Sequence, residues 1–142
     1  MAAKPIPDGY HTVTPYLTVQ GAGKLMDFLK QAFDAKEIHC STRPDGTITH
    51  AAVRIGDSIV EMSEATAEWN PMPGGVHMYV KDTDATYKRA LQTGATSLFE
   101  PADQFYGERG AGVKDPAGNH WYIATHTEDL SPEELAKREE LS

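Results

Sequence analysis

Few residue patterns in this sequence of 142 residues are typical of catalysis. Serine and histidine residues occur without the sharp strand-to-helix turn or the Asp-oriented base that nucleophilic catalysis requires. The stretch Gly107–Gly112 does not open a helix, so it does not predict a phosphate-binding loop. The single Cys40 has no metal-spaced partner, and we expect it to be a packing residue. What remains is the chemistry of single carboxylate, imidazole and phenol groups.

The elements that position these groups form a repeat of about 61 residues. The strand-like run Pro15–Val19 leads into a helix-like stretch, Gly21–Phe33. The run Val76–Val80 leads into Thr83–Thr93 in the same way. Each helix is followed by three extended or turn-punctuated stretches. Two tandem βαβββ modules, and therefore an α+β fold, are the economical interpretation.

Hydrophobic periodicity and capping residues support both helices. In the first helix, one face of an amphipathic pattern is formed by Leu25, Phe28, Leu29, Ala32 and Phe33. The second helix has capping chemistry in Asp82–Asp84 and a stop signal in Gly94. A tail helix is predicted at about residues 131–141, because Ser131 and Pro132 match an N-cap and a first helical position.

The chain is predicted to be one domain, with modules at about residues 10–66 and 75–127. We expect the polar stretch Glu64–Gly75 to link the modules and Pro101–Gly110 to be a loop. Six strands complete the two modules: Glu37–Thr42, Thr47–Ile55, Ser58–Ser63, Ser97–Glu100, Gly110–Lys114 and His120–Thr125.

Composition excludes several classes of partner. The formal net charge is -8, and no Lys/Arg cluster could follow a phosphate backbone, so nucleic acid is not expected to bind. No apolar run approaches the roughly 18 residues of a membrane span, and the first residues lack the apolar core of a secretory signal. We therefore expect a soluble, cytoplasmic protein.

The motifs of both modules resemble the vicinal oxygen chelate superfamily, which includes glyoxalase I, extradiol dioxygenases and the bleomycin- and fosfomycin-resistance proteins. The resemblance spans about residues 10–127 and is carried by Thr14–Val19, Met26–Phe28, Ile59–Met62, Val76–Asp84 and Asp115–Trp121. The PhnB-like branch is resembled most closely by Pro7–His11, Asp103–Arg109 and Ile123–His126. The resemblance implies eight strands that curl into an open, U-shaped cleft for small molecules, and it implies a homodimer.

Metalloenzymes of this superfamily take four metal ligands from the first and last strands of the two modules. The resemblance puts these positions at Thr14, Glu61, Gly75 and Tyr122. Divalent metals in such sites need imidazole or carboxylate donors, and only Glu61 supplies one. We therefore expect no metal ion and no cofactor.

Glu61 is then the best candidate for a catalytic residue. Three roles are open to it: a remnant metal ligand, a general base, or a hydrogen-bond acceptor for a ligand. A partner such as Arg54, Arg109 or His77 would instead make its role structural. His39 and His50 are interpreted as ordinary sheet residues.

The resemblance also predicts the side chains that bind a ligand. His77 lies two residues past Gly75 on the same strand face, either as a displaced ligand or as a polar residue of the cleft. Phe105 or Tyr106 could cap the cleft and Arg109 could meet an anionic group, although a surface loop whose aromatic side chains pack on the core or on a dimer partner is equally open. The tyrosines either contact the ligand or fill the cleft. The predicted ligand-binding set is Thr14, Tyr16, Glu61, His77, Tyr79, Phe105, Arg109 and Tyr122.

The function predicted from the sequence is binding of a small organic molecule in a metal-free cleft, by a protein that is not expected to be an enzyme. Two alternatives stay open. One is a metal-dependent lyase, isomerase or dioxygenase that uses Glu61 with unconventional ligands such as His77. The other is a drug-sequestering resistance protein, which differs only in the identity of the ligand.

Overall fold

The computed structural model describes residues 3–142 and contains two βαβββ modules followed by a third helix. The first module consists of β1 (Tyr16–Val19), α1 (Ala22–Phe33), β2 (Lys36–Thr42), β3 (Ile48–Ile55) and β4 (Ser58–Glu64). The second consists of β5 (Gly75–Tyr79), α2 (Thr83–Thr93), β6 (Thr96–Gln104), β7 (Glu108–Lys114) and β8 (His120–His126), and α3 (Pro132–Leu141) follows. The predicted α+β class with two tandem modules is confirmed.

The chain divides into two compact units, each built around one four-stranded sheet. The first unit holds the described residues up to Gly74 together with Pro116–Gly118, and the second holds Gly75–Asp115 and Asn119–Ser142. The strand orders are β1-β4-β3-β2 and β5-β8-β7-β6. The neighbours β1 and β4 run parallel in the first sheet, and β5 and β8 run parallel in the second, because a helix connects the first strand of each module to the other three. The other neighbouring strands form antiparallel hairpins.

Helix α1 covers the core of the first unit with the apolar face that the sequence predicts. Its buried side chains are Ala22, Leu25, Met26, Phe28, Leu29, Ala32 and Phe33. Gly21 precedes the helix in the left-handed conformation and offers no capping side chain. A carboxylate from β4 replaces that cap: Glu64 accepts hydrogen bonds from the backbone N–H groups of Gly21, at 2.9 Å, and Ala22, at 3.0 Å.

Helix α2 has the end signals predicted for it. The side chain of Asp82 accepts a hydrogen bond from the Ala85 N–H at 3.0 Å, and Gly94 ends the helix with a φ of 119°. Under this helix the sheet of the second unit buries Trp121, whose indole N–H donates to Asp115 at 2.8 Å.

The prediction of a loop at Pro101–Gly110 is wrong, because β6 and β7 continue through most of these residues. Ala102 pairs with Gly110 and Gln104 pairs with Glu108, so only three residues form the turn. The strand continues past Pro101 because the register shifts between Phe99 and Ala102, and a bulge accommodates a residue that has no N–H to donate.

Helix α3 confirms the predicted tail helix, with Ser131 accepting a hydrogen bond from the Glu134 N–H. Arg138 of this helix forms hydrogen bonds with both carboxylate oxygens of Glu128, at 2.8 and 3.0 Å. None of the helices in residues 3–142 combines the length and the hydropathy that a membrane span requires.

Candidate functional site

Glu61 lies in the middle of the first sheet, on the strand between β1 and β3. Its neighbours in register are Tyr16 on β1 and Ala52 on β3. In the second sheet the same row places His77 of β5 beside Tyr122 of β8. Residues 16 and 77, and residues 61 and 122, are related by the same shift of 61 positions, so the sequence repeat is also a structural repeat.

The partner of Glu61 is His50, which the sequence analysis treated as an ordinary sheet residue. His50 Nε2 lies 2.6 Å from Glu61 Oε1, and the two side chains are 34% and 25% exposed. The His50 ring stacks on Tyr16, with ring centroids 5.9 Å apart, and lies 5.6 Å from the ring of His39. His39 in turn contacts the Ser41 hydroxyl at 2.9 Å. The first sheet therefore carries a partly exposed carboxylate–imidazole pair.

A concave site lies within the first unit, and Tyr16, whose ring stacks on His50, is part of its lining. It is a cavity of about 510 Å³, which we call the Trp69 cavity, and its lining consists of Tyr16, Thr18, Arg43, Thr49, Ser63, Glu64, Thr66, Trp69 and Met72. Three of these side chains are large, apolar and open to solvent: Tyr16 is 53% exposed, Trp69 68% and Met72 71%. A soluble domain rarely leaves such residues together on its surface unless they bind something.

The stretch predicted to be only a linker forms one wall of the Trp69 cavity. Met72 forms an isolated bridge with Thr18 of β1, and its N–H donates to the Thr18 carbonyl at 3.0 Å. Thr66 and Trp69 close a turn through two hydrogen bonds, from the Thr66 N–H to the Trp69 carbonyl and from the Trp69 N–H to the Thr66 hydroxyl. This backbone pairing holds the indole and the thioether at the edge of the sheet.

On the sheet of the second unit, aromatic residues and histidines form a separate group. The Tyr122 hydroxyl lies 3.2 Å from His120 Nδ1, and the Tyr122 ring stacks on Phe99 with a centroid distance of 6.5 Å. Phe99 can lie flat here because Gly112 is beneath it, and a Cβ at that position would overlap the ring. His77 contacts Tyr79 edge to face, with ring centroids 4.8 Å apart.

Tyr79 belongs to a polar chain in the second unit. Its hydroxyl donates to Glu108 Oε2 at 2.6 Å, and this hydrogen bond raises the pKa of Tyr79. Glu108 also lies 3.5 Å from His126, which contacts Asp129 at 2.7 Å. The two carboxylates, Asp129 first and Glu108 second, raise the pKa of His126 above its usual 6.5.

Arg109, a predicted anion-binding residue, is already engaged by two carboxylates. Its guanidinium binds Asp84 at 2.5 and 2.9 Å and Asp103 at 3.1 Å. The hydrogen bond with Arg109 lowers the pKa of Asp84. These contacts tie the start of α2 to the β6–β7 hairpin and favour a structural role, and ligand binding by Arg109 stays a prediction.

The turn between β6 and β7 is held by the tail of the chain. Phe105 and Tyr106 contact each other edge to face at 5.2 Å, and the Phe105 carbonyl accepts a hydrogen bond from Arg138. Gly107 packs so closely on the Glu128 backbone that a Cβ there would lie 2.7 Å from its carbonyl oxygen. A role for Phe105 in capping a ligand also stays a prediction.

The four positions of the implied metal site do not supply a suitable donor set. Thr14 lies ahead of β1, Gly75 has no side chain, Tyr122 contacts His120, and Glu61 is paired with His50. Within residues 3–142, no group of three or more His, Cys, Asp or Glu side chains is arranged to hold a metal ion. Zinc and related metals take most of their protein ligands from these side chains, so the residues at the four positions do not fit a divalent metal ion.

Comparisons with known proteins agree with this architecture. The uncharacterized protein Mb0911c of Mycobacterium bovis is 34% identical over 134 residues, and the match covers 87% of this chain and 88% of that protein. The structure of TioX from Micromonospora sp. ML1 shares the fold, with a TM-score of 0.70 at 22% identity over 82% of this chain and 98% of that chain. A gene product of Arabidopsis thaliana, At5g48480, has a TM-score of 0.64 at 22% identity and covers 81% of this chain and 98% of its own.

The match to a protein family extends over both modules. Residues 10–123 match the family described as the Glyoxalase/Bleomycin resistance protein/Dioxygenase superfamily, which is the grouping that the sequence motifs resemble. The chain belongs to the Glyoxalase/Bleomycin resistance protein/Dioxygenase superfamily.

Proposed function

We propose that this protein binds a small, partly apolar organic molecule in the Trp69 cavity, and that it does so without a metal ion. The observation that carries the proposal is the exposure of Tyr16, Trp69 and Met72 around one cavity of about 510 Å³. Covering apolar surface gains about 25 cal/mol per Å², so a ligand seated here is stabilised by the side chains that now face water. Hydroxyl groups of Thr18 and Ser63 add neutral polar contacts.

The chemistry of the available donors supports the metal-free part of the proposal. Glu61 is the one good metal donor among the four family positions, and its carboxylate is bound to His50. A homodimer, membership of the PhnB-like branch and a cytoplasmic location remain predictions from the sequence. A drug-sequestering protein is the same proposal with a drug as the ligand.

One observation favours a second function, acid–base catalysis on the bound molecule. The pair formed by His50 and Glu61 is connected to the Trp69 cavity through Tyr16, which stacks on His50 and also lines the cavity. With Nε2 held by Glu61, the Nδ1 atom of His50 is the ring nitrogen left to accept a proton. If this function is correct, His50→Gln should abolish solvent deuterium incorporation into a bound carbon acid without abolishing its binding.

Fluorescence titration tests the binding proposal directly. The probe is N-phenyl-1-naphthylamine, a neutral aromatic molecule that becomes fluorescent in apolar surroundings. We expect one saturable site per chain and energy transfer to the bound probe from Trp69, which lines the cavity.

Two variants locate the site. Trp69→Ala should weaken probe binding about tenfold, whereas Val13→Ser, which removes an even more exposed apolar residue outside the cavity, should leave it unchanged. Equal affinity for the parent and Trp69→Ala, or the absence of saturable binding, would overturn the proposal.

A further inference from the structure

We propose that the molecule bound in the Trp69 cavity is an organic anion, an aromatic or otherwise planar compound with a carboxylate, sulfonate or similar acid group, and that Arg43 binds that group. This inference rests on the proposed function and names the class of ligand for the same cavity.

Only two of the nine lining residues carry a full charge, Arg43 and Glu64. The Glu64 carboxylate is already committed, because it accepts backbone hydrogen bonds from Gly21 and Ala22 at the start of α1. The positive end of the helix dipole, equivalent to roughly half an elementary charge, offsets part of its charge at this position. Glu64 therefore serves as the cap of α1, and Arg43 is the other charged side chain of the lining.

Arg43 has a fixed backbone and an unoccupied side chain. At the β2–β3 hairpin its N–H donates to the Thr47 carbonyl and its own carbonyl accepts from the Gly46 N–H, both at 2.9 Å. Within residues 3–142, no hydrogen bond or ion pair involves its guanidinium. Arg54 and Arg89 are likewise without such a contact among the described residues but do not line the cavity, whereas Arg109 and Arg138 each bind two carboxylates.

The nearest acidic residue in the hairpin does not occupy Arg43. Asp45 uses its carboxylate to accept the Thr47 N–H at 2.9 Å, and that contact is the main reason that the pKa of Asp45 is lowered. The charge of Arg43 is a smaller cause. In a chain with a formal net charge of -8, an arginine that lines a cavity and binds no carboxylate is available for an external anion.

The neighbouring side chains define the rest of the ligand. A planar guanidinium binds carboxylate and sulfonate groups through two parallel hydrogen bonds. Trp69 and Tyr16 offer aromatic faces, and Met72 offers a polarizable thioether that packs well on rings. An acid group attached to a flat apolar body satisfies both parts of this lining.

A matched pair of probes tests the charge preference separately from binding. N-phenyl-1-naphthylamine and 8-anilino-1-naphthalenesulfonate share one ring skeleton, and only the second carries a negative charge. We expect the parent to bind the sulfonate about tenfold more tightly than the neutral probe. Added sodium chloride should weaken the binding of the sulfonate and leave the binding of the neutral probe unchanged.

Variants then assign the preference to one residue. Arg43→Gln should reduce the affinity for the sulfonate about tenfold and the affinity for the neutral probe less than about twofold. Arg54→Gln is the matched control, because Arg54 is an exposed arginine of β3 that does not line the cavity. Circular dichroism of each variant establishes that its fold is unchanged.

The outcomes separate this inference from the proposed function. If the parent binds the neutral probe at least as tightly as the sulfonate, the inference is overturned and the proposed function stands. The inference is also overturned if Arg43→Gln loses affinity for both probes by the same factor. The same holds if Arg54→Gln loses as much affinity for the sulfonate as Arg43→Gln does. If neither probe binds saturably, both proposals fail.

Discussion

His50 Nε2 and Glu61 Oε1 are 2.6 Å apart, and this contact joins strands β3 and β4 on one face of the first sheet. The residue directly opposite Glu61 is Ala52, so the imidazole reaches the carboxylate along a diagonal, over a small side chain. The position at which the sequence resemblance implies a metal ligand thus holds an internal hydrogen bond in this chain.

We predict that His50 and Glu61 are energetically coupled. In urea denaturation of His50→Ala, Glu61→Ala and the double variant, the coupling free energy should be about 0.5 to 1.5 kcal/mol, the range of a partly exposed hydrogen bond. Glu61→Gln, which keeps an acceptor oxygen, should retain most of the stability. Free energies that add within about 0.3 kcal/mol would mean that the pair does not contribute to the folded state.

The position of this pair illustrates what the sequence could and could not predict. The repeat of 61 residues predicts that Tyr16 and His77, and Glu61 and Tyr122, are equivalent, and the strand registers agree. Strand alternation cannot predict which residue of β3 reaches Glu61, because that depends on the register between β3 and β4 and on the small size of Ala52. His50 was therefore missed.

The Trp69 cavity was missed for a related reason. Its wall is a stretch rich in turn-forming residues, which composition alone identifies as a linker. The bridge between Thr18 and Met72 is a tertiary contact that leaves no periodic signal. The signal that could have found the site is the presence of two large apolar residues, Trp69 and Met72, in an otherwise polar segment.

We predict that no transition metal is needed for the stability of this protein. Metal analysis of the purified protein should find much less than about one metal ion per chain, and a chelator should leave the thermal midpoint unchanged. The reason is the donor set, since Thr14 and Gly75 cannot replace imidazole or carboxylate ligands. About one tightly held metal per chain, lost together with stability on chelation, would contradict the prediction.

Phe28 anchors α1 on the first sheet and is only 2% exposed. It also contacts Phe33 edge to face, with ring centroids 5.5 Å apart. Phe28→Ala should therefore lower the free energy of unfolding by roughly 3 to 5 kcal/mol, measured by urea denaturation. A loss below about 1 kcal/mol would be incompatible with a buried ring at this position.

Two glycines should respond to alanine in opposite directions. A Cβ at Gly112 would overlap the ring of Phe99, so Gly112→Ala should cost about 1 to 3 kcal/mol and displace that ring from Tyr122. Gly23 lies within α1 with nothing within 4 Å of the added carbon, so Gly23→Ala should stabilise the protein by about 0.5 to 1 kcal/mol. Denaturation of both variants gives the signs, and destabilisation by Gly23→Ala would contradict the exposed face assigned to that helix.

The contacts of His126 predict a pH dependence of stability. Asp129, and to a smaller extent Glu108, raise the folded pKa of His126 above 6.5, while Tyr79 donates to the same oxygen of Glu108. A group whose pKa is raised on folding contributes its full stabilisation below the unfolded value, and the contribution is lost as the pH rises through the folded value. The stability difference between the parent and His126→Gln should accordingly be largest near about pH 6 and should disappear by about pH 9.

The side chains of His126 and Asp129 are exposed, so high salt should shrink this difference in stability. Because Asp129 is the larger cause, Asp129→Asn should remove most of this pH dependence. The measurement is urea denaturation across that pH range, with an NMR titration of the His126 ring, and a midpoint at or below 6.5 would show that the two carboxylates do not hold the imidazolium.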